Sequence, residues 1–217
     1  MELKQLFAAI GFGLAATTVS AFTVTVGGTT VLGHGQTTSL PGATVVDFNS
    51  NLLNPSGYAG GAVKNGSLSS NWASPPNDTS NFYTVGPGPN QSSPGIVTLG
   101  SLSKYFGYFG GSPDTYNSIE LYLGTTRLAT FSGTFLATAA SVNPNGNWNT
   151  GAYWNIWAAN ANEYFNIVKF VSSTNAFETD NHASIAAIPE PGTYAMMLAG
   201  LGLMALVARR RKNGIHG

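Results

Sequence analysis

The sequence predicts an all-β fold: an antiparallel β-sandwich flanked by an N-terminal signal helix and a C-terminal transmembrane helix. Three observations carry this. Between Phe22 and Ile188 the chain is rich in Gly, Asn, Ser, Thr and aromatics, the residues of turns and strands, and poor in helix formers. Short apolar/polar alternations recur there between turn clusters, and no stretch shows a convincing helical period. The two ends break the pattern with apolar runs beside basic residues.

The first end is Met1 to Ala21, which reads as a secretory signal peptide. Lys4 supplies the positive start, Leu6 to Ala16 is an apolar run too short to span a bilayer, and Val19-Ser20-Ala21 offers a small-residue cleavage site. Such a leader implies passage through the secretion translocon and removal by signal peptidase. An uncleaved anchor is the alternative.

The predicted domain, 22–188, follows as strands. Phe22–Val26, Ala43–Asn49 and Asn81–Val85 come first, separated by Gly, Pro, Asn and Ser clusters. Ile96–Leu99 and Lys104–Phe109 read as two further strands. Ser118–Leu123 alternates, with Ile119, Leu121 and Leu123 on one face, and turns through Gly124-Thr125 into Thr126–Phe131 as a hairpin. Tyr153–Trp157, Glu163–Val171 and Asn175–Ile185 close the domain. Half-buried strands at this spacing argue for an antiparallel sandwich with one wet face per sheet.

Charge narrows the partners. The 217-residue chain has 9 basic and 9 acidic side chains and a formal net charge of zero. Within 22–188, however, Lys64, Lys104, Arg127 and Lys169 face Asp47, Asp78, Asp114, Glu120, Glu163, Glu178 and Asp180. A mildly acidic domain without a basic patch is not a nucleic-acid binder. There is no cysteine, so the core or a metal must hold the exported fold.

The second end is Pro189-Glu190-Pro191, an uncharged stretch from Gly192 to Ala208, and Arg209-Arg210-Arg211-Lys212. At 1.5 Å per residue the stretch makes a helix of about 25 Å, short but workable in a bilayer core of roughly 30 Å. The basic stop stays cytoplasmic and leaves the domain outside, with 213–217 as a cytoplasmic stub. This arrangement, 189–212, resembles the PEP-CTERM sorting signal. The resemblance implies recognition and cleavage by an exosortase. It also implies a transient inner-membrane stage, then delivery to the surface or exterior of a Gram-negative, polysaccharide-exporting bacterium. A permanent single-pass anchor is the bland alternative.

Two domain segments are also similar to a group of exosortase-dependent surface proteins. Tyr105 to Asn117 resembles a Trp-Gly-Ser-x-Asp-x-Tyr-Asn core, with Gly110 where that group has tryptophan. Ala176-Phe177-Glu178-Thr179-Asp180-Asn181 resembles its closing strand. The resemblance implies a jelly-roll-like domain of the kind used by carbohydrate-binding modules, and it carries no catalytic residues to transfer.

Candidate sites follow. Trp148 between Asn147 and Asn149, and Trp72 beside Asn71, have the aromatic face and amide donors that a sugar ring needs. A loop plug is the competing reading for Trp148. Trp154 and Trp157 fall on opposite strand faces, so one belongs to the core. If first and last strands pair, as in jelly rolls, Asp47 comes near Glu178 and Asp180 as a possible calcium site; ordinary Asx turns and exposed acids are the alternative. No nucleophile elbow or zinc motif is present, and Asp114 with Glu120 or Glu163 is the only carboxylate pair to nominate for glycan hydrolysis. The expectation is a non-enzymatic surface or matrix protein contacting extracellular polysaccharide, with a purely structural or adhesive role as alternative.

Overall fold

The computed structural model describes residues 22–145, 151–187 and 197–204. The predicted signal peptide, Trp148 with Asn147 and Asn149, Pro189-Glu190-Pro191 and the basic run 209–212 lie outside the described residues. Residues 197–204 are helical. Among the described residues no helix is long and apolar enough to cross a membrane.

Eleven strands form one antiparallel sheet that curls over its own core. Five of them come first, with a separate ribbon after the first: β1 (Thr23–Val26), a two-stranded ribbon of β2 (Thr29–Thr30) and β3 (Gln36–Thr37) that forms its own small sheet, then β4 (Thr44–Val46), β5 (Tyr58–Ala59), β6 (Ala62–Asn65) and β7 (Asn81–Val85). Next comes β8 (Gly95–Gly110), the spine, followed by the β9 (Asn117–Leu123) and β10 (Thr126–Ser132) hairpin. After helix α1 (Gly133–Ala140) come β11 (Ala152–Trp157), β12 (Phe165–Ser172) and β13 (Phe177–Ala186).

The predicted break between Leu99 and Lys104 does not occur, because β8 runs through it. It is marked instead by a slip in register: Phe165 lies opposite Ser103 but Ile167 opposite Thr98. The residues between are an outward excursion of the strand, which bends the sheet. The first half of β8 pairs with β12 and β5, and its second half with β11 and β13. One arm is therefore β10-β9-β12-β8-β5, the other β1-β11-β8-β13 with β7, β6 and β4 beyond. The sequence predicts two packed sheets; the described residues form one curled antiparallel sheet instead.

The arms face each other through aromatics. Phe170 of β12 meets Phe106 and Tyr108 of β8 with ring centroids 6.0 and 5.5 Å apart, and Tyr108 stacks on Trp154 at 5.3 Å. Trp154 is the core tryptophan of its strand and Trp157 the less buried one. His182 also enters this core, against sequence parity. Between Asp180 and Ala183 β13 slips register, with Asn181 in the left-handed region (φ 50°), so His182 turns inward and Asn181 outward. His182 then stacks on Phe170 at 4.8 Å, with Nδ1 3.0 Å from the Tyr58 hydroxyl and Nε2 2.8 Å from Thr179 Oγ1. Burial holds its pKa down at about 3, so it is a neutral ring.

The outer face of the second arm is covered as well. Asn181 Nδ2 donates to His34 O (2.7 Å) and Gln36 O (3.0 Å), pinning the β2–β3 ribbon across it. Gly35 sits at φ +64° with the Phe109 ring where a Cβ would be.

Helix α1 was not expected. Its sequence, GTFLATAA, carries no charge, and it buries Leu136 and Ala137 while Trp154 Nε1 donates to Leu136 O at 3.0 Å. Ser132 accepts from Phe135 N as N-cap, and Ser141 in the left-handed region closes the helix. The predicted strand at Ala43–Asn49 is shorter than expected, because Phe48 (φ 56°) leaves the sheet at once to stack on Tyr83.

Candidate ligand cleft

A cleft of about 160 Å³ opens at the end of the curled sheet where β8 runs out and β13 begins. Three segments build it. Gly111–Tyr116 leads from β8 to β9, Asn175–Glu178 enters β13, and Ser70–Pro76 lies across both. The two segments that carry the family resemblance thus meet at one place. Gly110, where the resembled group has tryptophan, has no room for a side chain: a Cβ there would meet the Trp154 and Tyr108 rings at 3.0 Å.

The floor is polar and cross-tied. Gly111 N donates to Glu178 O at 3.2 Å, and Glu178 Oε1 accepts from Ala73 N at 2.8 Å. Asp114 Oδ2 accepts from the Tyr116 hydroxyl (3.0 Å) and from Ser112 Oγ (3.1 Å), and Asp114 O accepts from Asn117 N as the chain enters β9. The Asn175 amide joins the walls, donating to Ser70 O at 3.3 Å and accepting from Gln91 Nε2 at 3.2 Å. Trp72 forms the apolar side, its indole N–H donating to Gly66 O at 3.2 Å and Lys64 Nζ 4.5 Å from its ring centroid.

Burial pushes the Glu178 carboxyl up to about 7, with the charge of Asp114 adding to the effect and the Ala73 N–H opposing it. The Tyr116 hydroxyl is pushed well above its usual value by burial and by Asp114. The cleft therefore holds a carboxyl on which burial favours the proton, beside a second acid, and no cationic side chain is among the residues that line it. It can accept and donate hydrogen bonds and offers one aromatic surface.

Of the sequence candidates, Trp72, Asn71, Asp114 and Glu178 are brought together here. The calcium set is not. Asp47 is exposed and its Oδ1 accepts from Asn49 N in a turn (3.2 Å), while Asp180 is buried beside Asp78. β4 does pair with β13, but opposite His182 to Ser184 rather than beside Glu178. Among the described residues no three His, Asp or Glu side chains are placed to hold a metal ion. The nominated partners of Asp114 also lie elsewhere. Glu120 pairs with Arg127 at 2.9 Å on the sheet face, and Glu163 accepts from Ala159 N at 2.7 Å in a turn before β12.

Sequence reasoning missed Tyr116 and Asn175. Tyr116 lies inside the Tyr105 to Asn117 segment that carries the resemblance, so its signal is present in the sequence; nothing there marks Asn175.

No curated protein and no solved structure matches the chain. The tail does match: residues 187–212 fit the family described as the PEP-CTERM protein-sorting motif, beginning at the residue after β13, which marks this chain for exosortase processing and export through the membrane to the cell surface.

Proposed function

We propose that the exported domain is a non-enzymatic binding module that holds one unit of an extracellular polysaccharide in the cleft. The observation that supports this is the lining: Trp72 beside Asn71, Asn175, Asp114, Tyr116 and Glu178. A pyranose has an apolar C–H face that packs on indole and a rim of hydroxyls that both donate and accept. At about 160 Å³ the cleft is below the roughly 300–1,000 Å³ of sites for larger ligands, which suits a single sugar unit and weak affinity per site. Many copies on one polymer would then supply retention through avidity. In this reading the chain leaves by the general secretory route, loses its leader to signal peptidase, and acts in a jelly-roll-like capacity at a Gram-negative surface or biofilm matrix.

The released domain applied to a glycan array is expected to be retained on one class of polysaccharide. Trp72→Ala should weaken that retention by about tenfold or more, on the scale of a lost aromatic contact. Absence of retention by folded wild-type domain would leave it a structural or adhesive matrix component.

A glycan-processing role has one specific observation in its favour, the proton-bearing Glu178 next to Asp114, since glycoside cleavage uses two carboxyls in different protonation states. Release of shorter sugars by wild type and its loss in Glu178→Gln would establish that role; binding without release establishes the first.

A further inference from the structure

We infer that the bent edge of the sheet is a lipid-facing surface, which stands the domain on the membrane with the cleft turned outward. The inference rests on the matched sorting motif and on strand register, not on the sugar reading.

Both chain ends leave the domain at that edge. Ala187 is still tied in, donating to Leu102 O at 2.8 Å, and Ile188 is the one residue between it and Pro189. At about 3.3–3.6 Å per residue the tripeptide starts within roughly 7 Å of the fold. The first described residues are beside it. Thr23 lies opposite Trp157, Trp157 opposite Tyr105, and Tyr105 opposite Ile185, so β1 and the last turn of β13 share one level of the sheet. Phe22 anchors this end, its ring 6.1 Å from those of Phe131 and Phe165. A chain with a sorting motif from Ala187 onward presents this edge, where Phe22 also lies, to the membrane.

The surface there fits that use. Leu102 and Leu123 are exposed large apolar side chains, 45% and 43% accessible, and Lys104 beside Leu102 is exposed and suited to anionic headgroups. The Leu123–Thr126 turn belongs to the same edge, since Gly124 N donates to Asn166 Oδ1 at the start of β12. The cleft is at the other end: from Ala186 back to Glu178 is eight steps along β13, about 25 Å at strand spacing.

The chain has no cysteine, so single labels are unambiguous. The full-length chain would be inserted in vesicles of phosphatidylethanolamine and phosphatidylglycerol carrying a headgroup quencher. Fluorophores would be placed at Leu102→Cys or Thr125→Cys on the edge, and at Thr115→Cys or Ser173→Cys on exposed positions at the cleft end. Quenching at both edge positions is expected to exceed that at both cleft-end positions at least threefold. Equal quenching at the two ends, or stronger quenching at the cleft end, overturns the proposal. Either result is independent of whether the released domain binds any glycan.

Discussion

Asp180 carries the sharpest consequence at the scale of single residues. It is fully buried beside Asp78, which is itself 4% exposed; burial first, and the second carboxyl next, push its pKa up to about 9. Ser80 bridges the two, its hydroxyl donating to Asp78 Oδ1 and lying 3.4 Å from Asp180 Oδ2. A proton held on Asp180 keeps two buried charges from facing each other. In the unfolded chain the same carboxyl ionises near 3.8. Its contribution to stability is therefore complete below that value and declines as pH rises towards 9. His182 works in the opposite direction: neutral when folded and protonated below 6.5 when unfolded, it weakens the fold as pH falls through that value towards about 3. Above pH 7 only the Asp180 effect is left of these two, at most about 1.4 kcal/mol per pH unit. Chemical denaturation between pH 7 and 9 should show wild-type stability falling, and Asp180→Asn should flatten that slope. An equal slope in both proteins would place the proton elsewhere. At this scale the cleft is partly legible from residue types. Trp72 and Asn71 were recognisable from residue chemistry alone. Glu178 was picked out for metal binding, because an acid in a strand declares its charge but not its burial.

Among elements, the strands were the legible part, since alternation reports directly on half-buried pairing. β9 and β10 fall where Ile119, Leu121 and Gly124 place them, and β7 matches its prediction residue for residue. Two elements escaped for opposite reasons. In α1 the apolar and small residues leave no polar face to set a 3.6-residue period, so the helix is specified by its Ser132 cap and by packing on Trp154. In β8 the Gly100-Ser101 pair has the composition of a turn, yet β12 pairs on both sides of it, with Thr98 and with Ser103. The ribbon β2–β3 was invisible because its register is set by Asn181, far away in sequence. Gly35 tests how firmly that ribbon is held. Gly35→Ala forces an L side chain to positive φ and into the Phe109 ring, with an expected loss of roughly 2–4 kcal/mol. Gly66→Ala, at φ +66° with open space around it, should lose only about 1 kcal/mol. Urea melts of the two variants separate packing from backbone strain. Equal losses would mean the ribbon is not seated on Phe109.

At the scale of the whole molecule, the strand added last is an interior one. β13 lies between β8 on one side and β7 and β4 on the other, so its partners date from much earlier in the chain. Contacts this distant in sequence close slowly and late. A chain ending at Asn175 should lose the cooperative transition and become protease-sensitive throughout, whereas one ending at Ala187 should keep both. Cooperative melting of the shorter chain would show that β13 is dispensable. The motif starts at the residue after this strand, which sets a schedule for biogenesis. No portion emerging before Phe177 can complete the sheet, so the domain closes only after the strand next to the sorting motif is in place. Until then the edges of β8, β7 and β4 that β13 covers stay unpaired and adhesive, and the residues that complete the domain are the ones that adjoin its sorting motif.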